Sequence, residues 1–294
     1  MKLKVVKERG FLGIGSGARI ELEKKQGKAP YIREELGDRI FLDLVRIPAG
    51  KFIMGVSSEE RQAVLENVKR HGFNVENNEK WLDSATPQHE VKVSAFWMGK
   101  YTVTNAQWFA VMETKPADQC NAKFQGEKQP VVGVSWVNCR EFCERLSNKL
   151  GKNIRLPSEA EWEYACRANT TTPFHFGETI TSDLVNCDGN FPYGDAPKGE
   201  YRSKTVDVDS FNPNSWGLYQ MHGNVWEWCS DRWHENYKGA PQDGSSWETG
   251  TVDNLRALQG GSWYNNAINC RSANRDRNSA DLRNGNIGFR LVVS

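Results

Sequence analysis

The sequence changes character near Arg167, and this change limits the kinds of fold it can adopt. Before it, apolar residues recur at helical spacing, as in the run Trp136, Cys139, Phe142 and Leu146. The roughly 125 residues that follow are rich in Gly, Asn, Asp, Ser, Trp and Tyr, a composition typical of loops and short strands. The chain is therefore predicted to be α+β, with two or three main helices, short sheets and much irregular loop.

Three helix starts have local signals. Thr104 with Gln107 and Ser158 with Glu161 have capping-box spacing, and Ser135 directly precedes the apolar stripe. Each predicts a helix that begins at the following residue.

Two regions are predicted along the chain. Residues 1–36 form a short β-rich lead-in, because KLKVVKE and ARIELE alternate apolar with polar residues. Residues 37–294 form one domain, in which FLDLVRIPAGKFIMG reads as two strands around a turn. SSEERQAVLENVKRHG is interpreted as a helix or a partly ordered insertion.

Composition excludes some classes of function. The formal net charge is +1, which gives no reason to expect nucleic acid as a partner. No apolar run approaches the about 18 residues that would span a membrane, and MKLKVVKERG lacks the apolar run of a secretory signal. These features predict a cytoplasmic protein. The seven cysteines have no zinc-site spacing and are interpreted as small core hydrophobes.

Several segments together resemble the formylglycine-generating enzyme (sulfatase-modifying factor) family. They are IPAGKFIMG, FWMGKYTVTNAQW, PVVGVSW, RLPSEAEWEYACR, GLYQMHGNVWEWCSD, RALQGGSW and GFRLVV, in family order from about residue 41 to 294. The resemblance implies a variant of the C-type lectin fold. It also implies a chemistry in which two cysteines, five residues apart after the GGS turn, hold copper(I) and support oxidation of a substrate cysteine.

One of those two cysteines is missing here. Asn265 stands at the first cysteine position and Cys270 at the second. Asparagine is neither a nucleophile nor a ligand for a soft metal. The sequence therefore predicts no catalytic residues, no required cofactor and no oxidase activity.

The segment from Trp263 to Asn286, here called the C-terminal segment, is predicted to bind a ligand. It contains seven Asn and four Arg between the GGSW turn and the strand-like IGFRLVV. A polar, irregular segment between fixed elements is typical of binding loops. The predicted ligand-facing residues are Tyr264, Asn265, Asn266, Ile268, Asn269, Asn274, Asp276, Asn278, Ser279, Asp281, Leu282, Asn284 and Asn286.

The residue alphabet of this segment is restricted. From Tyr264 to Asn286 there is no Lys, Glu, Gln, Met or Trp. The types present, Asn and Arg apart, can be reached from the codon AAC by changing only its adenines, whereas those five cannot. In this the segment resembles the variable proteins of diversity-generating retroelements, which place adenine-directed variation on a C-type lectin fold. Asn-rich tails after GGSW also occur in ordinary bacterial members of the family, and that alternative stays open.

The arginines of this region have a different predicted role. Arg271, Arg275 and Arg290 are expected to pair with buried carboxylates and backbone carbonyls beneath the loops rather than to contact ligand.

The family resemblance also implies two calcium sites. Matching QMHGNVWEW places Gln220, Gly223, Val225 and Glu227 at the first, with hydrogen bonding by Glu227 as the alternative. Matching VNCDGNFP places Asn186 and Cys187 at the second, with Glu200 as the nearest acidic candidate.

Three functions follow as hypotheses. The first is a non-catalytic module that binds a protein or another macromolecule through a diversified surface. The second is a formylglycine-generating oxidoreductase or another oxygenase on the same scaffold. The third is an accessory docking domain in signalling, for which residues 1–36 offer a contact.

Overall fold

The structure is a computed structural model that describes residues 2–7, 18–23, 29–116, 122–249 and 254–294. Cys120 lies outside these residues. No helix in the described part of the chain is long and apolar enough to cross a membrane.

Five α-helices occur in the described residues: α1 (Ser58–Arg70), α2 (Val75–Ser84), α3 (Asn105–Met112), α4 (Trp136–Leu150) and α5 (Glu159–Arg167). The three helices predicted from their start signals are α3, α4 and α5, and each begins with a capping box, at Thr104, Ser135 and Ser158. The segment predicted as a helix or insertion is α1, which is followed by α2, a helix that the sequence pattern did not reveal. Two helices are thus present beyond the predicted main ones.

The strands are short: β1 (Lys2–Lys7), β2 (Ala18–Glu23), β3 (Tyr31–Gly37), β4 (Ile40–Ile47), β5 (Gly50–Met54), β6 (His89–Val93), β7 (Phe96–Gly99), β8 (Ile154–Arg155), β9 (Trp226–Arg232), β10 (Leu255–Gln259), β11 (Arg275–Ser279), β12 (Ile287–Gly288) and β13 (Val292–Val293). They form a five-stranded sheet in the order β3-β4-β7-β13-β8 and a four-stranded sheet in the order β11-β10-β9-β12. Two further pairs are β5-β6 and β1-β2. The α+β class is confirmed, and the two strands predicted around Pro48 are β4 and β5.

The five-stranded sheet begins before the predicted domain boundary at residue 37. Strand β3 pairs antiparallel with β4 from Tyr31 onward. Residues 31–36, assigned to the lead-in from sequence, are therefore part of the main sheet, while β1 pairs with β2.

Aromatic side chains fill the core between helices and sheets. Trp108 of α3 stacks on Phe142 of α4 with 5.5 Å between ring centroids, and Phe289 meets Phe142 edge-on at 5.3 Å. Trp162 of α5 and Trp228 of β9 are both fully buried. This packing fixes α3, α4 and α5 against the sheets from which the C-terminal segment starts and to which it returns.

The C-terminal segment leaves β10 through the GGS turn and returns along the edge of the same sheet. It forms a short 3-10 helix, Ala267–Cys270, and then β11, which pairs antiparallel with β10. Strand β11 is an edge strand, with β10 on one side only. The segment thus has regular structure at two places and loops between them.

Candidate functional site: the C-terminal surface

Two buried ion pairs tie the C-terminal segment to distant helices. The guanidinium of Arg271 contacts Oε1 of Glu60 in α1 at 2.5 Å, and that of Arg275 binds both carboxylate oxygens of Glu159 in α5, at 2.8 and 2.7 Å. Arg275 also donates to the backbone oxygens of Ser84 and His234. The predicted structural role of Arg271 and Arg275 is confirmed.

Arg290 is also paired with a buried carboxylate. Its guanidinium donates to both oxygens of Glu227, each at 3.0 Å, and to the backbone oxygens of Gly99 and Tyr219. Arg290 and Glu227 are both fully buried. The prediction for Arg290 is confirmed as well.

This pairing supports the alternative interpretation of Glu227 as a hydrogen-bond acceptor, and its calcium role stays a prediction. Both of its oxygens already accept hydrogen bonds from Arg290, and Oε2 also accepts from the Trp162 indole at 2.7 Å. A guanidinium neutralises the carboxylate that a hard cation would need. Glu227 accepts hydrogen bonds, as its alternative interpretation held, but from side chains rather than backbone amides.

The other residues of the first calcium set hold loops together. Gln220 donates to the backbone oxygen of Asp207 at 2.8 Å and accepts from Asn224, while the Gly223 amide donates to Gly260 at 2.7 Å. Val225 is buried. These contacts show a structural role for Gln220 and Gly223, and their calcium role stays a prediction.

Of the residues predicted for the second calcium site, Asn186 has an oxygen suited to a cation, whereas the carboxylate of Glu200 is paired elsewhere. Oδ1 of Asn186 is buried and has no hydrogen-bond partner among the described residues, which suits a cation ligand. Cys187, expected to contribute its backbone oxygen, is buried beside it in the chain. Glu200, however, is paired with Arg202 at 3.1 Å and its side chain is 63% exposed. Within the described ranges no three His, Cys, Asp or Glu side chains are grouped so that they could hold a metal ion. Calcium at Asn186 stays a prediction.

Asn265 is built into a hydrogen-bond network. Its Oδ1 accepts from the Trp226 indole at 2.9 Å and from Oγ of Ser262 at 2.5 Å. The same Ser262 oxygen accepts from the Asn286 amide at 3.2 Å, so the two ends of the C-terminal segment meet at this serine. The carboxamide therefore fixes the loop at the position where the resemblance places a cysteine.

Cys270 is fully buried beneath this loop. Hydrogen bonding with the Cys187 thiol and burial raise its pKa well above the ordinary value, so the sulfur is held as a neutral thiol. The backbone approaches it closely: a Cβ atom on Gly261, where φ is +71°, would lie 2.6 Å from the Cys270 sulfur. The six cysteines that the structure describes are buried and free, as predicted for core residues.

Tyr264 is the exposed ring of an aromatic cluster with Trp263 and Tyr201. Together with Asn284 these residues are here called the Tyr264 surface. Tyr264 is 63% exposed and meets Trp263 edge-on with 5.6 Å between centroids. Trp263 stacks with Tyr201 at 6.4 Å and donates to the Gly285 backbone oxygen at 3.1 Å. That bond brings the exposed Asn284 beside the aromatic rings, and half-buried Asn265, Asn266 and Asn286 continue the polar rim.

A second group of predicted residues lies at the end of β11. The side-chain amide of Asn254 donates to Ser279 and to Asp281, both at 3.0 Å. Asp281 is exposed, Asn278 and Ser279 are half-buried, and Leu282 packs partly against the core.

A third group lines a cleft against the helix that sequence analysis missed. Asn269, Asn274 and Asp276 share a cavity of about 140 Å³ with Asn78 and Trp81 of α2. Trp81, 43% exposed in a mostly polar helix, was a sequence signal that could have pointed here.

Ile268 is not on the exposed surface where it was predicted, although it lines the cleft from within. Ile268 is 5% exposed and belongs to the main hydrophobic cluster, as do Ala267 and Cys270. The 3-10 helix turns these three side chains inward, leaving Asn266 and Asn269 half-buried at its two ends.

Comparison with known proteins agrees with this architecture. The Sulfatase-modifying factor enzyme 1-like domain family matches residues 38–294. Formylglycine-generating enzyme from Mus musculus is 27% identical, with 95% of this chain and 82% of that protein aligned. Inactive C-alpha-formylglycine-generating enzyme 2 from Bos taurus is 26% identical over 88% of this chain and 90% of that protein. Among curated relatives, both enzymes and an inactive form thus share this fold.

A further relative is longer. The chain spans about two fifths (40%) of serine/threonine-protein kinase pkn1 from Chlamydia caviae, and 89% of this chain aligns to it at 28% identity.

Two solved structures are similar over most of the chain. PvdO from Pseudomonas aeruginosa has a TM-score of 0.71 and 30% identity, covering 91% of this chain and 100% of its own. Treponema denticola variable protein 1 has a TM-score of 0.69 and 24% identity, covering 90% and 98%. At that identity the second likeness concerns the fold, which is the predicted variant of the C-type lectin fold.

Proposed function

Because this chain belongs to the Sulfatase-modifying factor enzyme 1-like domain family, we propose that it is a member without catalytic activity, whose C-terminal surface binds a protein or another macromolecule. The proposal combines a missing thiol with an exposed, polar and aromatic surface on the same segment.

The proposal depends mainly on Asn265, which stands where the family has its first cysteine. Copper(I) bound by the family's pair of cysteines needs two thiolates. Here the first position holds a carboxamide engaged with Trp226 and Ser262, and Cys270 is a buried neutral thiol. The residues present therefore do not fit that metal.

The Tyr264 surface supports recognition of a large partner. Tyrosine supplies contact area with few side-chain rotations to lose, and asparagine supplies adaptable hydrogen bonds. Tyr264 is held from behind by Trp263, which itself rests on Phe124 and Tyr201. A rigid aromatic anchor with a polar rim is typical of surfaces that bind proteins.

The restricted alphabet supports diversification of this surface. The four exposed residues of the C-terminal segment, Tyr264, Asp281, Arg283 and Asn284, are of types reachable from AAC through its adenines. The buried arginines and the GGS turn would keep the fold constant while such positions change. Sequencing the gene from many isolates tests this: substitutions should cluster in codons 264–286 at adenines. An invariant segment, or changes spread evenly along the gene, would return it to the ordinary family type.

The absence of catalysis is tested by restoring the thiol. Wild type and Asn265→Cys are titrated with copper(I) in competition with a chromophoric chelator, and each is then incubated with a sulfatase-motif peptide under oxygen. We expect copper(I) retention only in Asn265→Cys, and no aldehyde product with wild type.

Asn266→Cys is the matched control. It adds a thiol to the same loop at the wrong spacing from Cys270 and should not retain copper(I). Turnover of the peptide by wild type would refute the proposal.

A further inference from the structure

The cleft between α2 and the C-terminal segment is a small cavity lined by side chains of both. Its volume is about 140 Å³, well below the roughly 300 to 1,000 Å³ of sites for drug-sized ligands. The cavity therefore has room for a single side chain or a group of similar size, not for an oligosaccharide or a nucleotide.

Apolar residues form part of the lining. Val64 of α1, Leu82 of α2 and Ile268 are 1%, 3% and 5% exposed. They are joined by the half-exposed indole of Trp81. Such surroundings suit an aliphatic stem, with a polar head near the amides and carboxylate of the cleft.

One carboxylate at the cleft, that of Asp276, has no ion-pair partner among the described residues. Arg271 and Arg275 line it, but each is matched by a buried carboxylate, Glu60 and Glu159 respectively. Asp276 is not matched: among the residues that the structure describes, no lysine, arginine or histidine forms an ion pair with it. The guanidinium of the neighbouring Arg277 acts on Asp276 only through its charge, because it lies 3.7 Å from Glu235 and 5.2 Å from the centroid of the Trp81 ring. One carboxylate is thus left over in a partly buried site.

The cleft also has hydrogen-bond acceptors that are free to bind a donor. Asp276 accepts one backbone bond, from Arg277 to Oδ1 at 2.7 Å, which leaves Oδ2 for a ligand. The Asn78 amide nitrogen donates to the Asn74 backbone at 2.7 Å, so its oxygen remains as an acceptor. Both arginine heads are engaged with carboxylates and backbone oxygens, so they offer little to an anion.

We propose that this cleft binds the lysine side chain of a protein partner, with its ammonium at Asp276 and Asn78 and its alkyl chain along Leu82, Ile268 and Trp81. An ammonium carries donors only, which matches the free acceptors, and its four-carbon stem matches the apolar lining. The assignment rests on the proposed binding function and specifies part of the chemistry of the partner.

The test uses the full chain and two peptides, Ac-Ala-Lys-Ala-NH₂ and its Nε-acetylated form. Binding is followed by NMR through the indole N–H of Trp81 and the side-chain amides of Asn78 and Asn274. We expect saturable shifts with the lysine peptide, with a Kd of the order of 1 mM, and at least about tenfold weaker binding of the acetylated peptide.

Two variants locate the site. Asp276→Asn keeps the shape and removes the charge, so it should weaken the lysine peptide about tenfold. Glu141→Gln removes a charge from α4, outside both the cleft and the C-terminal segment, and should leave the affinity unchanged.

Equal binding of the two peptides, shifts away from Trp81, or an unchanged affinity in Asp276→Asn would overturn the assignment. Those results would leave the proposed function standing if wild type still fails to retain copper(I), whereas peptide turnover by wild type would remove the proposed function itself.

Discussion

The helical part of the chain and the C-terminal segment are stabilised in different ways. Helix α4 begins at a capping box on Ser135 and ends at Gly151 in the left-handed conformation, so both ends are satisfied by residues close in sequence. The C-terminal segment has local hydrogen bonds, such as that between Ser262 and Asn265, but its buried ion pairs are distant. The partners of Arg271 and Arg275 lie 211 and 116 positions away.

This difference separates what must be kept from what can change. A segment held by buried ion pairs and a few inward-facing residues can vary at its exposed positions without losing its path, since those positions carry little of its stability. The helical part has its contacts spread over a continuous apolar stripe, where most substitutions are costly.

The largest effect is expected at Arg275. Replacement by Met leaves Glu159 buried and unpaired, and should lower the free energy of unfolding by about 3 to 5 kcal/mol. Urea denaturation followed by circular dichroism measures it. The local contrast is Ser135→Ala, which removes one helix cap and should cost about 1 kcal/mol.

The double variant Glu159→Leu/Arg275→Met shows whether the loss of stability in Arg275→Met comes from leaving Glu159 buried without a partner. Removing both charges should recover much of the stability lost in the single variant. Equal losses in Arg275→Met and Ser135→Ala would mean that the segment does not depend on this pair.

An intermediate effect on the free energy of unfolding is expected when a fall in pH protonates His222. Nε2 of His222 accepts from the His175 amide at 3.1 Å and Nδ1 donates to the Cys270 carbonyl at 2.7 Å, which fixes the neutral ring. Burial lowers the pKa of His222 to about 4. Because the unfolded chain binds the proton more readily, this contribution is complete above about pH 6.5 and is lost as pH falls toward 4.

Comparing wild type with His222→Gln isolates this contribution. Between pH 7 and pH 5 the stability advantage of wild type should shrink by about 2 kcal/mol. Urea midpoints at several pH values measure it. Parallel pH profiles for the two proteins would contradict the assignment.

The smallest effect is expected on the exposed positions. Tyr264→Ser, Asp281→Asn and Asn284→Ser should each change the free energy of unfolding by no more than about 0.5 kcal/mol. Ile268→Ser, in the same segment but facing inward, should cost more than about 2 kcal/mol. Similar losses at Tyr264 and Ile268 would remove the distinction between outward and inward positions.

The sequence predicted features that depend on near neighbours. The starts of α3, α4 and α5 follow from Thr104, Ser135 and Ser158 because a cap and its partner lie three residues apart. The inward role of the arginines also followed, since a guanidinium beneath polar loops needs a carboxylate, although the sequence did not identify which one.

Features that depend on distant contacts were missed. Helix α2 has the sequence VENNEKWLDS, whose few apolar residues give little periodic signal, and the cleft exists only because α1 and α2 pack on the C-terminal segment. Ile268 was predicted on the surface because the segment around it is rich in Asn, while the 3-10 helix turns it into the core. The sequence also did not reveal that Arg290, 63 residues away, donates to both oxygens of Glu227.

The position of β11 at the edge of its sheet limits which variants of this surface can avoid pairing edge to edge with another molecule. An unpaired strand edge invites the addition of a strand from another molecule, and natural proteins discourage this with charged residues. Strand β11 reads RDRNS, with three charges in succession and no apolar residue. Variation that replaced Asp276 and Arg277 with apolar residues would make the edge prone to aggregation, so solubility as well as recognition constrains the residues that these positions can carry.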